Sequence, residues 1–199
     1  DRQVFEALSL QSQAHRLGLV GPYGAGKSSL LLALQGLLNP AQGQIELSGR
    51  PGLLFQNPDH QLLFPTVMEE LCFGARQRGQ TDAEDRASDL AMAHGAGQLL
   101  SLATHELSEG QKQLVCLLAV LMDEPDVLLL DEPCAGLDHR LTAQLMSTLL
   151  DLPQRLIMAT HRLELLHEFD EVVWIEDGTV RMQGPAQEVV SAYAASGRA

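Results

Sequence analysis

The chain is short of positive charge, of long apolar runs and of paired cysteines, and each shortage closes off a class of function. Lysine and arginine number 13 against 26 aspartates and glutamates among 199 residues, a formal net charge of −13. A surface of that sign repels phosphate backbones and anionic lipid headgroups, so nucleic acid and acidic membrane surfaces are poor partners. The longest uninterrupted apolar stretch, residues 114–122, falls well short of the roughly 20 residues that a helix needs to cross a bilayer. No charged-then-apolar signal segment stands at the start. Cys72, Cys116 and Cys134 are odd in number, widely spaced and form no C-x-x-C pair. They read as reduced thiols of an intracellular protein, not as a disulfide framework or a metal site. What is present is a chain 45% hydrophobic, long enough to bury the core of one domain with a subdomain inserted in it.

The order of patterns along the chain predicts an α/β fold. Residues 3–10 and 16–20 read as strands, and a helix running to about Leu38 follows a glycine-rich turn and stops at Asn39-Pro40. Residues 44–47 alternate like a half-buried strand, and 53–55 form another after the turn at 48–52. From 57 to about 103 helical periodicity dominates, over 66–78 and 81–100, with Gln80-Thr81-Asp82 as the intervening loop and N-cap. A helix over 109–122 leads into the buried strand 127–130, and a helix over 138–150 into a second buried strand, 156–159. An apolar hairpin, 172–175 and 179–182, turns at 176–178. The expected organisation is a single domain with a core of 1–56 and 126–199 and a helical subdomain of about 57–125.

Two stretches carry chemistry. Gly21-Pro22-Tyr23-Gly24-Ala25-Gly26-Lys27-Ser28 fits G-x-x-x-x-G-K-[ST] and lies between the apolar strand 17–20 and a helical run. That context is what a phosphate-binding loop requires. The glycines let backbone N–H groups curl toward phosphate oxygens, and the helix N-terminus adds partial positive charge. Lys27 can reach the β- and γ-phosphates and the Ser28 hydroxyl can ligate Mg²⁺, so the pattern predicts binding of a nucleoside triphosphate. Asp131 and Glu132 end the buried strand that starts at Val127, at the sheet edge where open α/β sheets bind ligands. Asp131 suits Mg²⁺, directly or through a water, and Glu132 suits a general base that orients the attacking water. Between them, Ser108 can cap a helix whose start Gly110 leaves open to an anion; on its own this tetrad is weak.

With Leu107-Ser108-Glu109-Gly110-Gln111 standing some twenty residues before Asp131, the chain resembles the ATP-binding-cassette (ABC) ATPases over almost its whole length. The resemblance implies a RecA-like P-loop core with an N-terminal antiparallel β part and an inserted helical subdomain. It implies nucleotide binding by Gly21, Pro22, Tyr23, Gly24, Ala25, Gly26, Lys27, Ser28 and Ser29. Gln56 matches the Q-loop, Ala135-Gly136-Leu137-Asp138 the D-loop and Thr160-His161 the switch histidine. Glu132, His161 and Gln56 are then catalytic, and Ser28, Gln56 and Asp131 hold Mg²⁺. The signature, residues 107–111, would act in trans on ATP bound by a second ATPase subunit, the same or different, in a head-to-tail dimer.

A narrower likeness lies in Phe55-Gln56-Asn57-Pro58-Asp59-His60-Gln61-Leu62-Leu63-Phe64-Pro65-Thr66-Val67 and in Asp131-Glu132-Pro133-Cys134-Ala135-Gly136-Leu137-Asp138. Both are similar to the energy-coupling-factor and cobalt/nickel importer ATPases. They imply ATP and Mg²⁺ as cofactors, an integral membrane partner docking near 62–64, no nucleic acid, and a peripheral position on the cytoplasmic face of a prokaryotic membrane. Departures are Glu109 for the signature's usual glycine, Cys134, His139 and Arg162 in later motifs, and Tyr23 for a common asparagine. The family's adenine-stacking aromatic normally sits well upstream of the phosphate loop; Phe5 lies close to Lys27 and reads as strand core, and the stacking residue and any C-terminal dimerisation extension are left unassigned. A soluble cassette ATPase of DNA repair or translation, which the −13 charge opposes, and a weakly active regulatory subunit are the alternatives.

Overall fold

In the computed structural model, which describes residues 4–5 and 8–197, the chain divides into two compact units. Asp1–Leu53, Asp126–Pro133 and Gln154–Ala199 form the first, and Leu54–Pro125 with Cys134–Pro153 the second.

The first unit is built on a sheet of six strands, β1 (Arg16–Val20), β2 (Pro51–Leu54), β3 (Val127–Asp131), β4 (Arg155–Ala159), β5 (Glu171–Glu176) and β6 (Thr179–Pro185), in the order β2-β3-β4-β1-β5-β6. Strands β3, β4, β1 and β5 run parallel, with Leu129 beside Ile157, and Gly18 between Met158 and Val172. The reason lies in composition. Leu128, Leu129, Leu130, Leu156, Leu19, Val172 and Val173 are all buried, and strands covered on both faces read as continuous apolar runs. The hairpin β5–β6 is antiparallel and turns at Asp177-Gly178, both at positive φ. Helix α1 (Lys27–Leu34) packs on β3, and α6 (Ala186–Ala195) packs on β1, β5 and β6. Trp174 is core, as its apolar hairpin implies, with the buried Tyr193 of α6 edge-on at 5.2 Å.

Several boundaries differ from the sequence reading. Helix α1 stops at Leu34, not near Leu38, because Gly36 enters the left-handed region and the Leu37 N–H closes back on Leu32 O at 2.9 Å. The strand expected over 3–10 is not formed among its described residues, and Phe5 is half-buried loop, not strand core. Beyond it the chain is anchored by side chains in place of a ladder: Gln183 donates to Gln11 O, and Arg155 to Ser12 O and Ala14 O. Residues 44–47 also make no strand with any described residue; they are mostly exposed. Helix α6 had no counterpart in the sequence reading.

The second unit is helical, with α2 (Val67–Gln77), α3 (Ala83–Ala93), α4 (Glu109–Leu121) and α5 (His139–Asp151). Thr66 and Glu69 cap α2 reciprocally, and the buried Glu70 accepts the N–H groups of Leu63 and Phe64 at 2.7 and 2.9 Å, fixing the entry loop. The helix read over 81–100 is broken after α3, where Gly95 turns left-handed and a short 3-10 turn, Gly97–Leu99, follows. Arg86 of α3 ties to Gln80, Met122 O and Glu124.

Candidate nucleotide site

The tips of β3, β4 and β1 lie side by side in the sheet, so Asp131-Glu132, Thr160-His161 and the loop 21–28 emerge at one edge. Two glycines shape the loop. Gly21 has φ 151° and a Cβ there would stand 2.1 Å from Ile175 O; Gly26 caps α1 at φ 97°, where a Cβ would meet Val4 and the Phe5 ring within 2.7 Å. No other residue fits either place.

Lys27, the first residue of α1, is buried. Its ammonium donates to Gly21 O at 2.7 Å, to Pro22 O at 3.2 Å and to His161 Nε2 at 3.3 Å. An ammonium has no lone pair, so Nε2 must be the acceptor and the ring proton sits on Nδ1. Burial holds the Lys27 pKa below its ordinary value, against the pull of Glu132 and then Asp131. Burial and the Lys27 charge together depress His161, keeping it a neutral imidazole.

The acids are fixed as firmly. Asp131 Oδ1 accepts from the Ser28 hydroxyl at 3.0 Å. Glu132 sits at φ 46°, a conformation that costs a bulky residue about 1–3 kcal/mol. It is held there by its N–H bond to Ala159 O at 2.9 Å. Its Oε2 accepts from Thr160 Oγ1 at 3.2 Å, while the buried Oε1 finds no well-formed hydrogen bond among the described residues and lies 3.5 Å from His161 Nε2. Burial raises the pKa of both acids; the Ser28 bond and Lys27 oppose it at Asp131, and the Thr160 bond and Lys27 at Glu132. An orphaned carboxylate oxygen beside a cation and a neutral imidazole is an acceptor for a proton that has yet to arrive. Ser28 and Asp131 form a hydroxyl–carboxylate pair, a hard-oxygen donor set suited to Mg²⁺ when phosphate oxygens complete the shell.

The remaining predicted residues belong to the second unit. Gln56 is exposed in the bend that follows β2. In the signature, Leu107 is buried, Ser108 is the N-cap of α4 and its N–H donates to the Gln111 side chain at 2.8 Å. Gly110 has a packing role: a Cβ would come within 2.9 Å of Leu141 on α5. The carboxylate of Glu109 lies 3.9 Å from Lys112, which also pairs with Asp59 at 2.6 Å. In the D-loop stretch, Gly136 turns at positive φ, Leu137 N–H meets Cys134 O at 3.3 Å, and Asp138 caps α5 through Leu141 N–H at 2.8 Å. Cys72, Cys116 and Cys134 are buried and join no disulfide, with burial pushing the Cys116 thiol up to about 12. Among the described residues no group of three His, Cys, Asp or Glu side chains could hold a metal, and no helix is long and apolar enough to cross a membrane.

Two features escaped the sequence reading. Thr160 holds the Glu132 carboxylate, and Tyr23 stacks on His161 with ring centroids 4.0 Å apart and planes 18° from parallel. The one signal for the second was a bulky ring at a loop tip where the family pattern has a small amide.

Comparison with known proteins gives a consistent set. Residues 6–135 match the family model described as ABC transporter. The biotin transport ATP-binding protein BioM of Rhodobacter capsulatus is 38% identical over 97% of this chain and 88% of its own length. The energy-coupling factor transporter ATP-binding protein EcfA of Methanocaldococcus jannaschii is 35% identical over 88% of this chain and 70% of its length. Among solved structures, CbiO1 of Clostridium perfringens, part of the ABC transporter complex CbiONQ, superposes with a TM-score of 0.84 at 29% identity, covering 94% of this chain and 84% of its own.

Proposed function

This chain belongs to the ABC transporter family and is an ATP-hydrolysing subunit, and we propose that it powers uptake of a vitamin or of a cobalt or nickel ion through a separate membrane protein. The observation that carries the reading is the interlocked cluster of Lys27, Ser28, Asp131, Glu132, Thr160 and His161 at one sheet edge. The similarity to subunits of biotin and energy-coupling-factor transporters supports the substrate class.

In this reading ATP takes the backbone N–H groups of the loop 21–28, with Ser29 in the following turn. Lys27 releases Gly21 O, Pro22 O and His161 for the β- and γ-phosphates, exchanging neutral acceptors for charged ones. Mg²⁺ would be held by Ser28 and Asp131, with Gln56 from the Q-loop, and supplies charge neutralisation on the phosphate oxygens. Glu132 Oε1 accepts a proton from the attacking water; Thr160 fixes the other oxygen so that Oε1 keeps its aim. His161, freed from Lys27, donates to or accepts from the γ-phosphate and water. Residues 107–111 and the D-loop 135–138 of a second subunit, identical or homologous, would complete the donor set. Peripheral attachment at the cytoplasmic face of a prokaryotic membrane follows from the same reading. The docking loop for the membrane subunit is 62–64, where Leu63 is 74% exposed and Phe64 packs on the part-exposed Phe73 with ring centroids 4.6 Å apart.

The test is ATP-driven substrate uptake by the transporter reconstituted in liposomes. Glu132→Gln should abolish uptake while ATP still binds. Turnover in the parent chain that is indifferent to the membrane subunit, with no uptake, would refute the transport reading and favour a soluble cassette ATPase.

A further inference from the structure

The loop 21–28 binds phosphate through its backbone and Lys27, so it has no need of a large side chain at Tyr23. Yet Tyr23 carries a phenol ring that is 87% exposed and makes one directed contact, face to face with the His161 imidazole at 4.0 Å and 18°. The other contacts that orient this imidazole are Lys27 Nζ at 3.3 Å and Glu132 Oε1 at 3.5 Å. Both of those groups are claimed by the reaction itself: Lys27 must turn to phosphate and Glu132 to water. Among the described residues, Tyr23 is then a neighbour of the ring that the reaction does not claim.

We infer that Tyr23 is a positioning residue for His161: from the tip of the phosphate loop it holds the imidazole in the plane that faces Lys27 and Glu132. The inference rests on the proposed role of His161 in turnover. The physics suits it, since two flat neutral rings gain most in a stacked or offset arrangement. Burial and Lys27 keep His161 in the uncharged form. The device also links two segments far apart in sequence. Tyr23 belongs to the loop that closes on the triphosphate, so any shift of the loop tip carries the plate on which the histidine rests.

The experiment combines kinetics of the full chain, alone and with its membrane subunit, with a spectroscopic readout. Tyr23→Leu should lower kcat by about 3- to 10-fold, the loss expected from one aromatic pair, and change KM for ATP by less than about twofold. Tyr23→Phe, which keeps the ring, should restore most of that loss. In the His161→Ala background Tyr23→Leu should cost nothing further. The ring protons of His161, assigned by their disappearance in His161→Ala, should resonate upfield in the parent and in Tyr23→Phe and move downfield in Tyr23→Leu. Independent, multiplying effects of Tyr23→Leu and His161→Ala, a Tyr23→Phe variant as poor as Tyr23→Leu, or unshifted ring protons in the parent would each overturn the inference. Full turnover in His161→Ala would instead remove the role of His161, and the proton shifts would still decide whether the stack exists.

Discussion

The polar groups at the sheet edge and those at the start of α4 are of similar kinds, but they are held in opposite ways. At the sheet edge the side-chain pairs are remote in sequence: Lys27 and His161 are 134 residues apart, Ser28 and Asp131 are 103 apart, and Glu132 and Thr160 are 28 apart. At the starts of α4 and α5 the capping partners are local. Ser108 meets Gln111, Glu109 leans to Lys112, and Asp138 caps Leu141. The first arrangement exists only when the tertiary structure is formed, and it fixes each group before a substrate arrives. The second is a pair of helix caps that any helix could have, which leaves its outward donors free for a ligand from elsewhere. In the proposed reading, the pre-organised cluster serves chemistry and the locally capped helix start serves docking.

The comparison breaks most completely at Lys27. Lys27→Ala removes the cation between the phosphates and also takes the ammonium donor from Gly21 O and His161 Nε2. Binding of Mg-ATP in the micromolar to low-millimolar range should vanish in a protein that stays folded, as calorimetry and circular dichroism would report. Unchanged affinity would mean that the loop is not the phosphate site.

Next in size is Glu132. Loss of a general base lowers rate by roughly 10²–10⁴-fold, so Glu132→Gln should bind ATP normally and turn over at that reduced rate. The pH dependence has a defined sign. Burial raises the Glu132 pKa, so the carboxylate is still protonated, and inactive as a base, at a pH where an ordinary glutamate is ionised. The acid limb of kcat should therefore lie above the ordinary carboxylate range and disappear in Glu132→Gln. The same shift bears on stability. The folded state binds the proton more tightly than the unfolded chain, so the contribution of this group is present below the unfolded pKa and is lost as pH rises through the folded one. Glu132→Gln should consequently melt at a higher temperature than the parent at neutral pH, and a lower melting temperature would contradict the burial argument.

Which parts were legible in the sequence follows from the same division. The loop 21–28 and the pair Asp131-Glu132 are contiguous motifs with fixed spacing, and the strands that carry them are unbroken apolar runs, so both could be read directly. The cap at Ser108, written within four residues, was legible too, though weak as a motif on its own. What stayed hidden depends on contacts across the sheet. Nothing local says that Arg155 and Gln183 would satisfy the carbonyls of Gln11, Ser12 and Ala14, and the described part of 3–10, read as a strand, forms none. Residues 44–47 have strand periodicity but no strand partner among the described residues, and periodicity does not report whether a neighbour exists. The stack of Tyr23 on His161 joins two loops that only the order β4-β1 makes adjacent.

The docking half of the comparison is sharpened by Ser108→Arg. A bulky cation at the α4 N-cap leaves the loop 21–28 of the same chain intact, so ATP binding should persist. Cooperative hydrolysis should fall by roughly tenfold or more, since one set of transition-state donors is lost. Mixing Ser108→Arg with Lys27→Ala restores one composite site per mixed dimer, and partial recovery of turnover is the expected result for a head-to-tail pair. Absence of any recovery in mixed dimers shown to form would speak for sites complete within one chain, or for two obligatory sites.

The smallest effect concerns Glu109, where the family pattern has glycine. An acid beside an incoming phosphate should repel it, yet here the carboxylate is drawn along the helix toward Lys112, which Asp59 anchors. Exposed pairs of this kind are weak and screened by salt. At moderate salt Glu109→Gly should therefore change turnover by less than about threefold. Lys112→Ala separates the two explanations for that tolerance. If Lys112 is what restrains the carboxylate, its removal should raise KM for ATP, and Glu109→Gly placed on Lys112→Ala should bring KM back. If KM is unmoved in both, the position tolerates an acid for reasons unrelated to Lys112. The rescue should also weaken as salt rises, because screening shields the phosphate from a free Glu109 just as it loosens the pair.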